Sequence, residues 1–241
     1  MIHLLCLASI LFAEDHKDQG PERLREHEVV SETATATCDD PSSGSLLIRR
    51  PIMLSPDGRY EAYAENAAVA NGPLGQCANT AKLFVKRSDD KKFQLAYQQD
   101  PSEYELLNDI KLIDWSPNSR YLLAELAVGQ YGSDFGWSTP ILYDAKINGV
   151  TPADWLDAVF HSYFGYECYS VIEALGFARS GNVVLRIRPA HDIAEGDLEP
   201  DSCVKEDQLL LLNPATRAIK SLTGKYTPQR YGRRLAGKSA R

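Results

Sequence analysis

An all-β chain, made of about three tandem four-stranded antiparallel units and one short helix, is what three features of the sequence predict. A turn motif returns about every sixty residues, short apolar runs flank each copy, and one stretch alone keeps the periodicity of a helix. The composition agrees with a folded domain: 44% hydrophobic and 24% charged residues in 241 positions lie outside the collagen-like and disordered ranges.

The chain opens with Ile2 to Ala13 (IHLLCLASILFA), an apolar run too short to span a bilayer but as long as the core of a secretory signal. Glu14, Asp15, His16 and Lys17 follow at once. No Lys or Arg precedes the run, and a buried first strand is the competing reading. Residues 1–13 are expected to leave on export, and no transmembrane segment is expected elsewhere. Residues 14–45 form a charged leader with strand-forming residues at Glu28 to Thr37.

Loss of the signal removes Cys6 and leaves Cys38, Cys77, Cys168 and Cys203, an even number suited to an oxidising compartment. Four thiols allow three pairings. Cys38 with Cys77 and Cys168 with Cys203 is favoured, because each bridge then stays within one stretch of the repeat. No C-x-x-C pair or zinc-spaced His accompanies them, so no structural zinc is expected.

Residues 46–224 carry the repeat. Leu54-Ser-Pro-Asp-Gly-Arg-Tyr60 is followed by Trp115-Ser-Pro-Asn-Ser-Arg-Tyr121 and by a decayed copy, Phe177-Ala-Arg-Ser-Gly-Asn-Val183. Pro fixes φ and Asp-Gly or Asn-Ser accepts the bend, so each motif reads as a hairpin turn between two strands. The second strands alternate through Tyr60, Ala62 and Ala64, then Tyr121 and Leu123, then Val183, Leu185 and Ile187. Third strands follow at Lys82 to Lys86, Pro140 to Asp144 and Gln208 to Leu212, each before a polar turn. Fourth strands are expected at Phe93 to Gln98 and Ala218 to Thr223. The second unit lacks an evident fourth strand. In its place Thr151 to Phe164 reads as a helix, with Thr151 as cap, Pro152 at the first position, and Trp155, Val159 and Tyr163 on one face. It is expected to plug or cover a sheet edge.

Four antiparallel strands per unit make a blade pattern. The Ser-Pro-Asx turns at Leu54 to Tyr60 and Trp115 to Tyr121, with Asn213-Pro-Ala-Thr-Arg217 leading into Ile219 to Gly224, resemble the WD40-like (PD40) repeats of periplasmic TolB-type β-propellers. The resemblance covers residues 46 to 224. It implies a propeller-like binding or scaffolding protein of the bacterial envelope, with no catalytic residues to carry over. Propellers close with about four to eight blades. Three units leave the ring open, completed by Glu28 to Thr37, or completed by self-association.

The formal charge is −7, which argues against a protein that neutralises nucleic-acid phosphates. Eight Lys or Arg and no Asp or Glu lie from Gln208 onward, leaving the first 207 residues at −15. Residues 225–241 therefore read as a solvated basic tail.

Long connections between second and third strands, at 66–80, 127–139 and 189–207, should emerge at one end and form a shared recognition surface. The second carries Tyr131, Asp134, Phe135 and Trp137, aromatic anchors for a partner or a sugar ring. The third carries Asp192, Glu195 and Asp197. The expected partner is another envelope protein or a glycan. No G-x-S-x-G, H-E-x-x-H, P-loop, G-x-G-x-x-G or calcium-loop pattern is present, so no cofactor or metal is expected. His191 beside Asp192 is a poor acid–base pair, since adjacent loop residues seldom converge. The alternative function is a carbohydrate-active hydrolase using the acidic-loop carboxylates, at a separation the sequence does not give.

Overall fold

The recurring motif makes a hairpin turn three times, the third one residue tighter, in the computed structural model, which describes residues 28–31, 47–69, 77–103, 106–129, 136–151, 155–165, 168, 170–189, 203–224 and 226–235. Ser55 N–H donates to the Tyr60 carbonyl and Gly58 N–H to the Ser55 carbonyl, both at 2.9 Å. The Ser55 hydroxyl accepts from Tyr60 N–H (3.0 Å) and donates to Asp57 (2.8 Å). One repeat later Ser116, Asn118, Ser119 and Tyr121 make the same four bonds, with the Ser116 hydroxyl 2.9 Å from Tyr121 N and 2.7 Å from Asn118. The third copy keeps only backbone closure, from Ala178 N–H to the Asn182 carbonyl and from Gly181 N–H to the Ala178 carbonyl. Gly58, Ser119 and Gly181 hold φ of 72°, 60° and 83° at the equivalent position. Glycine accepts that conformation without a Cβ penalty, whereas Ser119 is held there by its bonded turn.

Each turn joins the first two strands of a four-stranded antiparallel module. The first module contains β2 (Leu47–Arg49) and β3 (Met53–Leu54) along one edge of β4 (Tyr60–Val69), then β5 (Ala78–Arg87) and β6 (Gln94–Gln99). The strand β1 (Glu28–Val30) adds to β2 in parallel. In the second module β7 (Leu107–Trp115), β8 (Tyr121–Gly129), β9 (Gly136–Asp144) and β10 (Gly149–Val150) pair in order. After the helix α1 (Trp155–Phe164), the third comprises β11 (Ser170–Phe177), β12 (Val183–Pro189), β13 (Gln208–Leu212) and β14 (Ile219–Ser221). The two-residue β15 (Arg233–Arg234) returns to pair with β3. The first strands gather together, with β7 touching both β3 and β11. The expected all-β, propeller-like tandem repeat is therefore present, and its sheets do not close into a ring among the described residues.

A bulge recurs with the repeat. It falls between Leu112 and Asp114 in β7 and between Ala174 and Gly176 in β11. The equivalent place in the first module is the Pro51 interruption between β2 and β3. An extra residue here re-aims the backbone of each first strand.

Three sequence expectations change. The connections at 66–80 and 127–139 are shorter, because β4 and β5 pair as far as Val69 and Ala78, and β8 and β9 as far as Gly129 and Gly136. Small residues such as Ala68 and Ala78, both fully buried, look like loop in sequence but allow close packing of the ladder. The second module has its fourth strand after all, the short β10 opposite Asp144 and Tyr143. The helix is described over Trp155–Phe164 and buries Trp155, Leu156, Val159 and Phe160, while Tyr163, expected on the same face, stays exposed. Of the two roles expected for it, it takes that of a plug, packed against both the second and third modules.

Two apolar clusters form the core. One joins the first and second modules through Ala62, Ala64, Leu83, Ile110, Trp115, Leu122 and Ala124. The other joins the second and third through Leu123, Leu142, the helix, Phe177, Leu185 and Leu210. The strand β8 serves both, which explains its near-continuous apolar run. Cys168 and Cys203 are bridged, with Cα atoms 4.9 Å apart. Cys77 is also disulfide-bonded. Cys38 lies outside the described residues, as do the proposed signal at 1–13 and most of the leader.

The basic C-terminus is docked through its backbone: residues 226–235 cross the first strands of all three modules, while residues 227–230, Arg233 and Arg234 keep the exposure expected of a solvated tail. Gln229 bridges Phe177, the Tyr226 hydroxyl donates to the Phe177 carbonyl (3.0 Å), and Leu235 N–H donates to the Ile52 carbonyl (2.8 Å). Gly232 packs closely there: a Cβ would stand 3.0 Å from the Met53 side chain and 3.1 Å from Trp115, so those side chains would have to give by a few tenths of an ångström.

Candidate functional site

The crossing of the C-terminal segment over β3 and β7 leaves a cavity of about 720 Å³ beside the first strands, lined by Arg50, Met53, Asp109, Lys111, Ile113, Asp114, Arg230, Gly232 and Arg234. The repeat brings part of this lining together. Arg50 and Lys111 occupy corresponding positions just before the bulge in successive first strands.

Asp109 is held by Arg50, whose Nη2 donates to both carboxylate oxygens at 2.8 and 2.7 Å, and by the Asn66 side-chain amide. Arg50 is itself almost fully buried and also donates to the Ser31 carbonyl (3.2 Å). A charge-assisted pair of this kind, with one guanidinium nitrogen shared by both oxygens, is stronger than a neutral hydrogen bond. The Asn66 Oδ1 accepts from Ile110 N–H (3.2 Å), so the same group ties β4 to β7.

Asp114 performs the corresponding task at the other end of the cavity. Its carboxylate accepts from Trp115 N–H (2.9 Å), Tyr231 N–H (3.1 Å) and Gly232 N–H (2.8 Å), and so fastens the C-terminal segment to β7. Burial pushes the Asp114 carboxyl above the usual range, against the opposing pull of those donors and of Arg230. Arg230 donates to the Ile113 carbonyl (2.8 Å) and Arg234 to the Leu112 carbonyl (3.0 Å). Lys111 is exposed and makes no ion pair among the described residues. The lining thus carries four cationic side chains against two carboxylates, in a chain whose net charge is −7.

The cavity runs toward the end that carries the long connections. Asp109 lies near Leu107, whose partner Gly129 begins the β8–β9 connection, while Trp115 pairs with Leu122 at the turn end. The C-terminal segment crosses the turn half and forms the floor. Of the residues proposed for recognition, Trp137 stands in β9 opposite Val128, not in a loop, and is 42% exposed. Tyr131, Asp134, Phe135, Asp192, Glu195 and Asp197 lie outside the described residues. Among the described residues no group of three or more metal-ligating side chains comes together, and no helix is long and apolar enough to cross a membrane.

The cavity residues escaped the sequence reading, which looked for function in loops. Two signals pointed to them: the matching Arg50 and Lys111 of successive repeats, and the concentration of cations after Gln208. No protein-family model matches the chain, and no curated protein matches it.

Proposed function

We propose that this is an exported binding or scaffold protein of the TolB-like propeller kind, which engages an envelope protein or a glycan at the end where the strand connections and this cavity lie. The carrying observation is the cationic cavity built where the first strands and the returning C-terminal segment converge. A rigid repeat frame presents neighbouring connections on one surface. The Cys168–Cys203 bridge supports export, because disulfides persist in oxidising compartments. The exposed indole of Trp137 at the same end supplies an aromatic anchor.

The test is capture of a partner from envelope extract, with a glycan array as the second arm. Trp137→Ala is expected to weaken the captured signal by about tenfold, the loss of one aromatic anchor, without changing the circular dichroism spectrum. Equal capture by wild type and variant in both arms sinks the reading.

A further inference from the structure

We infer that the crevice between the first and second modules, at the end where the tight turns lie, is a binding site for one ring of a neutral saccharide. The inference goes beyond the reading above and does not rest on it, because the long connections lie at the opposite end of the sheets.

The crevice is a cavity of about 240 Å³ lined by Tyr60, Val85, Asp90, Gln94, Tyr143 and Asn148. Tyr60 starts β4 opposite Arg87, and Asn148 ends the turn after β9 at φ 51°, a conformation that asparagine tolerates. Trp115 fixes both tyrosines. The Tyr60 ring stacks on it with centroids 5.7 Å apart, and Tyr143 meets it edge-on at 6.4 Å.

The polar groups of the lining form a directed chain with an open end. The Tyr143 hydroxyl donates to Asn148 Oδ1 (2.8 Å), and Asn148 Nδ2 donates to Gln94 Oε1 (3.3 Å). Burial, then the neighbouring Tyr60 and Asp144, pushes the Tyr143 hydroxyl up to about 12, so it stays a protonated donor. Among the described residues the Gln94 amide nitrogen donates to no group, the Tyr60 hydroxyl makes no hydrogen bond, and the Asp90 carboxylate accepts from the Arg87 N–H alone (3.3 Å). A donor, an acceptor and a group that is both are thus left open around one small space. Sugar hydroxyls, which donate and accept at once, match that mixed set, and the C–H face of a pyranose packs on an aromatic ring.

Charge favours a neutral ligand. Lys86 and Arg87 also line the crevice, but Lys86 lies 3.3 Å from Glu61 and Arg87 lies 3.3 Å from Asp89, and Asp90 adds a further negative charge. Neither sign dominates. The exposed Lys91 and Lys92 of the same turn are not part of the lining. The repeat supplies a contrast: Tyr121, the counterpart of Tyr60, is 5% exposed and lies in one cluster with Trp155, Leu156 and Phe160 of the helix. Tyr60 is half-buried, and no helix stands at its seam among the described residues. The cavity is smaller than the sites of drug-sized ligands, which suits a single ring.

The experiment is a heteronuclear NMR titration of the full chain with methyl glucoside, methyl galactoside and N-acetylglucosamine, each to about 50 mM, with glucuronate as the charged probe. Saturable shifts of the Asn148 side-chain amide are expected with at least one neutral sugar. Gln94→Ala removes an exposed side chain and Tyr60→Phe keeps the ring on Trp115, so both should fold. Each should weaken binding about fivefold, the scale of one hydrogen bond. Weakening in either places the sugar in the crevice. Gln98→Ala, further along β6, and Trp137→Ala, at the other end of β9, should leave binding unchanged. Raising the salt to about 0.5 M should also leave it unchanged, since no ion pair holds the ligand. The inference is overturned by the absence of a saturable shift with any neutral sugar, by unchanged binding in both Gln94→Ala and Tyr60→Phe, by tighter binding of glucuronate, or by loss of binding in Trp137→Ala.

Discussion

The seam between the first and second modules is pinned by directional polar bonds, whereas the seam between the second and third is filled by volume. At the first, Arg50 grips Asp109, the Asn108 amide donates to the Asn79 carbonyl (2.9 Å), and Asp57 N–H donates to the Ser119 hydroxyl (3.2 Å). Its core is rich in alanine, with Ala62, Ala64, Ala81 and Ala124 allowing the sheets to approach around the fully buried Trp115. At the second, no hydrogen bond is made directly between side chains of the two sheets among the described residues. A whole helix inserts Trp155, Leu156, Val159 and Phe160 instead, and the Cys168–Cys203 bridge ties the third module to itself. Polar pins set a unique register at a seam of small side chains, while interlocking bulk achieves the same end where room has been made for it.

The comparison breaks most visibly if bulk is removed from the second seam. Phe160→Ala is expected to lower unfolding free energy by about 3–5 kcal/mol, read as a shifted urea midpoint, because the ring is 6% exposed and stacks on Phe164 with centroids 6.2 Å apart. A shift below about 1 kcal/mol would mean that the helix is a passive cover. At the first seam the corresponding insult is electrostatic. Arg50→Met keeps most of the volume but leaves Asp109 with the Asn66 amide alone, and should cost about 2–3 kcal/mol, less than a fully buried pair because Asp109 is 31% exposed. Double substitution Arg50→Met with Asp109→Asn should recover part of the loss. No recovery would show that Arg50 acts by packing and not by pairing.

The third strand at Gln208–Leu212 was legible to the residue, since an uninterrupted apolar run between polar turns has few other solutions. The Cys168–Cys203 pairing was legible for a similar reason, as the repeat confines both cysteines to one module. The extensions of β4 and β5 through Asn66, Ala68, Asn79 and Thr80 were not, because Ala and Asn have low strand propensity and are retained here for close approach and for bonds across the seam. The C-terminal docking was least legible of all. It depends on backbone N–H groups of Tyr231 and Gly232 finding a carboxylate 117 and 118 positions earlier in the chain, and nothing in local pattern encodes a partner at that distance. The repeat thus announced its strands but not what lies beside the first of them.

The smallest expected effect sits in the turns and sharpens the same contrast, since the first two carry a side-chain staple that the third lacks. Ser55→Ala removes the hydroxyl that both accepts from Tyr60 N–H and donates to Asp57, and should cost about 1 kcal/mol. Ala178 already occupies the equivalent place in the third turn, so Ala178→Ser should not cost the same amount. The staple also has an acid signature. Burial pushes the Asp57 carboxyl up, but the Arg59 N–H, the Ser55 hydroxyl, the Arg59 guanidinium and the Ser119 hydroxyl together outweigh it and hold the group at about 2, against an ordinary 3.8. A carboxyl whose folded pKa lies below its unfolded value adds stability that is present above the ordinary value and disappears as pH falls through about 2. Asp114 runs the opposite way, because burial raises its folded pKa and its contribution is lost as pH rises through that raised value. Urea midpoints measured from about pH 5 down to about pH 2 should therefore fall more steeply in wild type than in Asp57→Asn, whose titration is absent. Parallel acid limbs would show that the hydrogen bonds around Asp57 are formed equally by its protonated state and that the staple is not electrostatic.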